Sequence, residues 1–139
     1  MKIITFCGHR QVPQDEIKNW LENTVETLIK DGAEVFLLGG YGAFDELAAK
    51  TVWELKKKYP HIRSALVIPY RNRRFTLKYY DFAIYPPLGS VEDRYAIIER
   101  NRWMVREADT VVAYVVREGG AAKTLDYARR NKKEIIIYA

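Results

Sequence analysis

Six short runs of β-branched and aromatic residues alternate along the chain with longer segments in which apolar residues recur at helical spacing. The runs cover residues 2–7, 34–39, 64–70, 81–86, 109–116 and 134–139. Most are continuously apolar, which is typical of strands buried on both faces of a parallel sheet. Parallel strands need crossover helices, and right-handed crossovers place those helices on both faces. The alternation therefore predicts an α/β fold, a doubly wound, mostly parallel, Rossmann-like sheet with helices on both faces.

Apolar stripes at helical spacing predict four helices between these strands. Pro13 and Gly32 bracket the first, as expected at the start and just past the end of a helix. A weaker pattern over residues 71–80 allows a further short helix. The four stripes consist of Ile17, Trp20, Leu21, Val25 and Leu28; of Phe44, Leu47, Ala48, Val52 and Leu55; of Val91, Tyr95, Ile98 and Val105; and of Ala121, Leu125 and Ala128.

The length of 139 residues suits one domain, which we assign to residues 1–139. No apolar run approaches the roughly 20 residues of a membrane span, and the N-terminus turns polar too early for a secretory signal, so we expect a cytoplasmic protein without a membrane partner. Cys7 is the single cysteine, with a small core residue as its expected role, and His9 and His61 are the two histidines. We therefore expect no disulfide, no metal site and no resident cofactor. The net charge of +5 favours an anionic partner, either a small phosphorylated ligand or a nucleic acid.

Two strand-to-helix loops are rich in glycine, at residues 39–46 and 117–124. Ligands of doubly wound sheets bind beyond the carboxyl ends of the strands, where these loops lie. Glycine lets backbone N–H groups approach an anion, and the helix that begins there adds partial positive charge. Neither loop is a GxGxxG or P-loop motif. Each loop alone fits an ordinary strand-to-helix connection as well as it fits phosphate binding. Together with Gly8 they favour a ligand that carries phosphate.

Side chains beside these loops each have a functional and a structural interpretation. Arg10 either clamps a phosphate or is a solvated arginine, and His9 either bonds the ligand or caps the turn. Asp45 and Glu46 stand in a first helical turn, where the helix dipole favours carboxylates, but carboxylates there also suit ribose binding or the activation of water.

Two further segments combine arginine with other polar or aromatic residues. Arg71, Arg73, Arg74 and Lys78 are interleaved with Phe75, Tyr79 and Tyr80, which describes either a base-stacking rim or a solvated loop. Asn101 lies on a core-facing stripe and needs partners there. It either caps a neighbouring backbone group or helps to orient Arg100 or Arg102 toward a ligand.

Motifs along nearly the whole chain resemble the SLOG superfamily, in particular its small YpsA-like proteins. They are residues 6–10, 39–45, 48–49, 69–70, 100–102, 104–105, 108–109 and 119–120, together with Thr124, Tyr127 and Ala128. The resemblance implies a Rossmann-like protein that binds a nucleotide or a derivative such as ADP-ribose at the paired glycine turns. We expect the ligand-binding residues to be Gly8, His9, Arg10, Gly39, Gly40, Gly42, Asp45, Tyr70, Arg100, Arg102, Gly119, Gly120 and Thr124.

Relatives within the superfamily differ in function, which leaves alternatives open. The LOG enzymes hydrolyse nucleoside 5′-monophosphates at the N-glycosidic bond with a PGGxGTxxE turn and an upstream arginine. This chain lacks the proline and carries Tyr127 three positions after Thr124, where that turn has glutamate. Our leading hypothesis is a nucleotide-sensing or nucleotide-sequestering protein, and we expect it to form a homodimer. The alternatives are a phosphoribohydrolase that uses Glu46, Asp45 and Arg102, or a single-stranded nucleic-acid binder like the DprA branch.

Overall fold

A parallel sheet organises the computed structural model, which describes residues 1–70 and 75–138. Within these residues the strands are β1 (Lys2–Gly8), β2 (Ala33–Leu38), β3 (Arg63–Val67), β4 (Phe82–Ile84), β5 (Thr110–Tyr114) and β6 (Glu134–Ile137). They lie in the order β4-β3-β2-β1-β5-β6, and every neighbouring pair is parallel. The predicted doubly wound sheet is confirmed.

Helices cover both faces of the sheet in the described part of the chain. They are α1 (Gln14–Lys30), α2 (Ala43–Leu55), α3 (Asp93–Glu107) and α4 (Gly120–Arg130). The first two pack together on one face around Ile17, Leu21, Phe36 and Phe44, and the last two pack together on the other face. None of the described helices combines the length and apolar character that crossing a membrane requires.

The sheet reverses its winding direction between β1 and β5. The chain builds outward from β1 through β2, β3 and β4, and then returns through α3 to place β5 on the other side of β1. The loops that follow β1 and β5 therefore diverge, which leaves a crevice at their carboxyl ends.

Two predictions about local structure were wrong. Helix α3 does not bury Tyr95 and Ile98, which are 46% and 47% exposed. Its buried face contains Ala96, Arg100 and Met104, so the core-facing stripe is centred on a charged residue that a count of apolar residues does not detect. Residues 75–80 contain no helix, and the remainder of the weak pattern, residues 71–74, lies outside the described residues.

Candidate functional site

A cleft of about 200 Å³ lies at the carboxyl ends of β1 and β5. It is enclosed by the loop after β1, the first turn of α2, the middle of α3 and the start of α4; we call it the switch-point cleft. The residues of the predicted site that line it are Gly8, His9, Arg10, Asp45, Arg100, Gly120 and Thr124. Cys7, Tyr41 and Asn101 also line it.

The N-terminus of α4 offers unpaired backbone donors to this cleft. The N-cap residue of this helix is Gly119, which has φ of 137°. No side chain caps the N–H groups of the first turn. The first hydrogen bond of the helix runs from the N–H of Lys123 to the carbonyl oxygen of Gly119 at 3.1 Å. Among the described residues, none accepts a hydrogen bond from the N–H groups of residues 120–122. Such a helix start is a binding site for anions when other groups support it.

The N-terminus of α2 is closed, although its loop is also glycine-rich. Ala43 donates its N–H to the carbonyl oxygen of Arg10 at 2.8 Å, and Phe44 donates to that of His9 at 3.3 Å. A Cβ on Gly42 would lie 2.8 Å from the Cα of Arg10. Glycine is therefore needed there so that the loop after β1 can approach the helix. The two glycine turns differ in chemistry, because the N–H groups of Ala43 and Phe44 are paired with the loop after β1, whereas no described residue accepts from those at the start of α4.

Arg100 is a buried cation beneath the cleft, with 2% of its surface exposed. Its Nη1 atom donates hydrogen bonds to the carbonyl oxygens of Gly39 and Val67, each at 2.9 Å. Its Nε atom donates to the Oδ1 atom of Asn101 at 2.8 Å. Burial lowers the pKa of the guanidinium while Asp45 opposes that shift, and an arginine remains charged in this situation. Asn101 therefore orients Arg100, which was one of the two roles that the sequence allowed.

Asp45 places a half-buried carboxyl in the same cleft. Its Oδ2 atom accepts a hydrogen bond from the N–H of Tyr41 at 3.3 Å. Burial raises the pKa of this carboxyl to about 6, although the charge of Arg100 and the Tyr41 N–H both act to lower it. The carboxyl therefore exchanges its proton near neutral pH, as groups in functional sites often do.

The other two catalytic candidates, Glu46 and Arg102, lie outside the switch-point cleft, as do several of the predicted ligand contacts. Glu46 pairs with Lys50 at 3.1 Å beside a neighbouring pocket that Gly40 and Gly42 also line. Arg102 pairs with Glu99 at 3.5 Å and lies in a groove between α3 and α4. The hydroxyl of Tyr70 donates to the carbonyl oxygen of Asp93 at 3.0 Å, and Tyr70 does not line the cleft. Of the three catalytic candidates, Asp45 is the one in the cleft.

His9 joins the loops on the two sides of the crevice. Its Nε2 atom accepts a hydrogen bond from the N–H of Val116 at 3.0 Å, and its ring packs edge-on against Tyr114. Burial, followed by the charge of Arg117, lowers the pKa of the imidazole, which favours the neutral acceptor form. His9 thus fixes the shape of the cleft.

Cys7 is hydrogen-bonded as well as buried. Its thiol donates to the carbonyl oxygen of Ala121 at 3.0 Å, and burial raises its pKa to about 12. A thiol with so high a pKa is a poor nucleophile, so its role here is to hold α4 against β1. The described residues contain no group of three or more metal-ligating side chains close enough to share an ion.

Aromatic residues from the basic segment after β3 line a separate pocket of about 690 Å³ beside α2. They are Phe75, Tyr79 and Tyr80, accompanied by Lys78. Arg71, Arg73 and Arg74, which the sequence placed with them, lie outside the described residues. This pocket and the switch-point cleft share no lining residue.

Comparison with known proteins identifies the family. The model of the YpsA family (YspA SLOG family) matches residues 7–135, which is nearly the whole chain. The chain belongs to the YpsA family. A UPF0398 protein of Lysinibacillus sphaericus is 35% identical over 54 residues, covering 39% of this chain and 30% of that protein. A UPF0398 protein of Halalkalibacterium halodurans is 33% identical over 82 residues, covering 50% and 42%. The matched segments therefore span less than half of these relatives.

Solved structures of two distant proteins share the fold of this YpsA-family chain. DNA processing protein A of Helicobacter pylori superposes with a TM-score of 0.68 at 16% identity, over 98% of this chain and 64% of that one. The molybdenum cofactor carrier protein of Chlamydomonas reinhardtii superposes with a TM-score of 0.65 at 20% identity, over 99% and 76%. At these identities the likeness establishes the fold.

Proposed function

We propose that this YpsA-family chain binds a nucleotide or a nucleotide derivative such as ADP-ribose through its phosphate, in order to sense or sequester it. The observation that carries the proposal is the start of α4, where Gly120 and Ala121 have unpaired N–H groups and line a cleft together with the buried cation Arg100. Backbone donors and a fixed positive charge together are the usual components of a phosphate site. Arg10, exposed at the rim with its guanidinium 4.4 Å from the centre of the Tyr41 ring, supplies a second charge.

The volume of the cleft limits which part of the ligand it holds. At about 200 Å³ it is smaller than the roughly 300–1,000 Å³ that is usual for ligand pockets. A phosphate with part of its sugar is the portion that such a cleft accommodates. The groove between α3 and α4, of about 420 Å³, shares Ile97, Asn101, Gly120 and Thr124 with the cleft and provides room for the rest.

The structural neighbours support a binding role. One is a protein studied for its single-stranded DNA binding mode, and another is a carrier of the molybdenum cofactor. Their names describe binding or carrying a molecule. We therefore favour reversible binding over catalysis for the present chain.

A phosphoribohydrolase is the second candidate function, and Asp45 is the observation that favours it. A carboxyl with a pKa of about 6 beside a phosphate site is suited to protonate a leaving nucleobase. Release of free base from a panel of nucleoside monophosphates, measured by chromatography, tests this function. If the protein is a phosphoribohydrolase, Asp45→Asn should abolish the release of base while the monophosphate still binds.

Calorimetric titration with AMP, NAD, ADP-ribose and adenosine tests the binding proposal. We expect the phosphate-bearing compounds to bind and adenosine, which has no phosphate, to bind at least about tenfold more weakly, since charged hydrogen bonds contribute about 1.5–3 kcal/mol. Adenosine binding as tightly as AMP would exclude a phosphate-based site. Absence of binding across the whole panel would refute the proposal.

Gly120→Asp provides a second test, with Gly120→Asn as its neutral control. A Cβ at Gly120 meets no atom within 4 Å, and the two side chains have the same shape, so any steric effect is common to both variants. An aspartate at the start of α4 places a carboxylate where we expect the phosphate. This carboxylate stabilises the helix by about 0.3–1 kcal/mol but repels the ligand. We expect Gly120→Asp to lose ligand binding without loss of stability, and we expect Gly120→Asn to retain most of the ligand affinity. Equal affinities in the two variants would rule out the N-terminus of α4 as the site.

A further inference from the structure

Charge is distributed unequally between the two faces of the sheet. Helices α1 and α2 together carry seven acidic and three basic residues, whereas α3 and α4 carry four acidic and seven basic residues. The net charges of the two helix pairs are therefore opposite in sign. A long anion is therefore favoured along α3 and α4 over α1 and α2.

A groove on this positive face leads directly out of the switch-point cleft. It lies between α3 and α4, and Ile97 and Ile98 are its apolar part. Three cations, Arg102, Lys123 and Arg130, line it with Tyr127 and with one acid, Asp126, which pairs with Arg129 at 3.8 Å. The side chains of Lys123 and Arg130 are exposed and form no ion pair with any described residue. We call this feature the α3–α4 groove.

Tyr127 is surrounded by arginines within the groove. The guanidinium of Arg102 lies 5.2 Å from the centre of its ring and that of Arg130 lies 5.8 Å from it. Arg106 donates a hydrogen bond to its hydroxyl at 3.0 Å. Planar guanidinium and aromatic groups side by side offer stacking surfaces for bases together with charge for phosphates.

We propose that the α3–α4 groove binds the backbone of a single-stranded nucleic acid whose terminal phosphate occupies the switch-point cleft. This inference rests on the proposed function, since it takes the amides of α4 as the site of that terminal phosphate. The four residues that line both features make one continuous path, along which the second and later phosphates meet Lys123 and Arg130. A mononucleotide has no later phosphates and would leave these cations unused.

Fluorescence anisotropy with labelled eight-nucleotide oligothymidylates tests this inference, with or without a 5′-phosphate and with unlabelled duplex as competitor. We expect the 5′-phosphorylated strand to bind most tightly and the duplex to compete poorly. The double variant Lys123→Gln/Arg130→Gln should lower the affinity for the strand by about tenfold at low salt and flatten the dependence of log K on log salt by about 0.7 for each lost phosphate contact. Affinity for AMP, measured in parallel, should change much less than affinity for the strand.

A charge-matched control lies on the opposite face. Lys18→Gln/Lys30→Gln removes the same charge from α1, where both side chains are exposed, and should leave strand affinity nearly unchanged. Equal losses in the two double variants would mean that net charge alone attracts the strand, and the inference would fail. It would also fail if the 5′-phosphate made no difference, if duplex competed as well as the single strand, or if AMP affinity fell as much as strand affinity. Binding of AMP without binding of the strand would overturn this inference alone, whereas loss of both would overturn the proposed function.

Discussion

Arg100 donates a hydrogen bond from Nη1 to the carbonyl oxygen of Gly39 at 2.9 Å, and its guanidinium fills the space that a side chain at Gly39 would need. A Cβ on Gly39 would lie 2.9 Å from the Cζ atom of Arg100. Since Nη1 also bonds the carbonyl oxygen of Val67, one buried cation ties the middle of α3 to the ends of β2 and β3. The position of α3, and with it one wall of the cleft, depends on the absence of a side chain at Gly39.

Gly39→Ala is therefore expected to destabilise the protein. The added methyl group must displace the guanidinium, which weakens two buried hydrogen bonds, and overpacking of this kind costs about 1–3 kcal/mol. Urea unfolding measures the effect. Gly120→Ala is the matched control, because its Cβ meets no atom within 4 Å; its stability should stay the same or rise by up to about 1 kcal/mol. Equal stabilities of the two variants would contradict this role of Arg100.

The sheet could be predicted because the strands of a parallel sheet are recognisable from local stretches of sequence. Strands buried on both faces need continuous apolar runs, and β5, buried along its whole length, shows one. Arg100 leaves no such signal, since its burial depends on carbonyl oxygens at Gly39 and Val67 that are distant in sequence. Its neighbour Asn101, a polar residue on a core-facing stripe, was the available indication that this part of α3 is polar inside.

The glycine turns show a second limit of sequence patterns. Both turns suggested phosphate binding, because each combines glycine with a helix start. Their difference comes from the loop after β1, whose carbonyl oxygens at His9 and Arg10 take up the amides at the start of α2. Pairing between segments more than 30 residues apart is not encoded in the local composition of either turn.

Asp45→Asn should make the protein more stable at neutral pH. The carboxyl has a pKa of about 6 in the folded protein against an ordinary value of 3.8, so the folded state favours the protonated form and wild-type stability falls as pH rises between these two values. One pKa unit corresponds to about 1.4 kcal/mol, which gives the variant an advantage of up to about 3 kcal/mol at pH 7.5 and little advantage near pH 4. Urea unfolding at both pH values measures it. An advantage that does not change with pH would refute the assignment.

His9→Phe should destabilise the protein at pH 8 by about 1–3 kcal/mol. Phenylalanine keeps an aromatic ring against Tyr114 but leaves the N–H of Val116 without its acceptor. Because the folded protein lowers the pKa of His9, the wild-type advantage is complete above the ordinary value of 6.5 and declines as pH falls through the lower folded value. Thermal unfolding of both proteins from pH 8 to pH 5 should show the difference narrowing. A constant difference would indicate that the hydrogen bond does not depend on the neutral imidazole.

The pH dependence of ligand affinity connects Asp45 to the proposed phosphate site. As pH rises through about 6, the carboxyl becomes negative in the cleft that we expect to hold the phosphate, so affinity should fall by about fivefold to tenfold between pH 5 and 7.5. ADP-ribose is the suitable probe, because its pyrophosphate does not titrate in this range, whereas a phosphate monoester has a second pKa of about 6. Calorimetry with Asp45→Asn should give an affinity that is nearly independent of pH, and His9→Phe serves as the control for titration of the imidazole. If Asp45→Asn kept the wild-type profile, the phosphate would not lie beside Asp45.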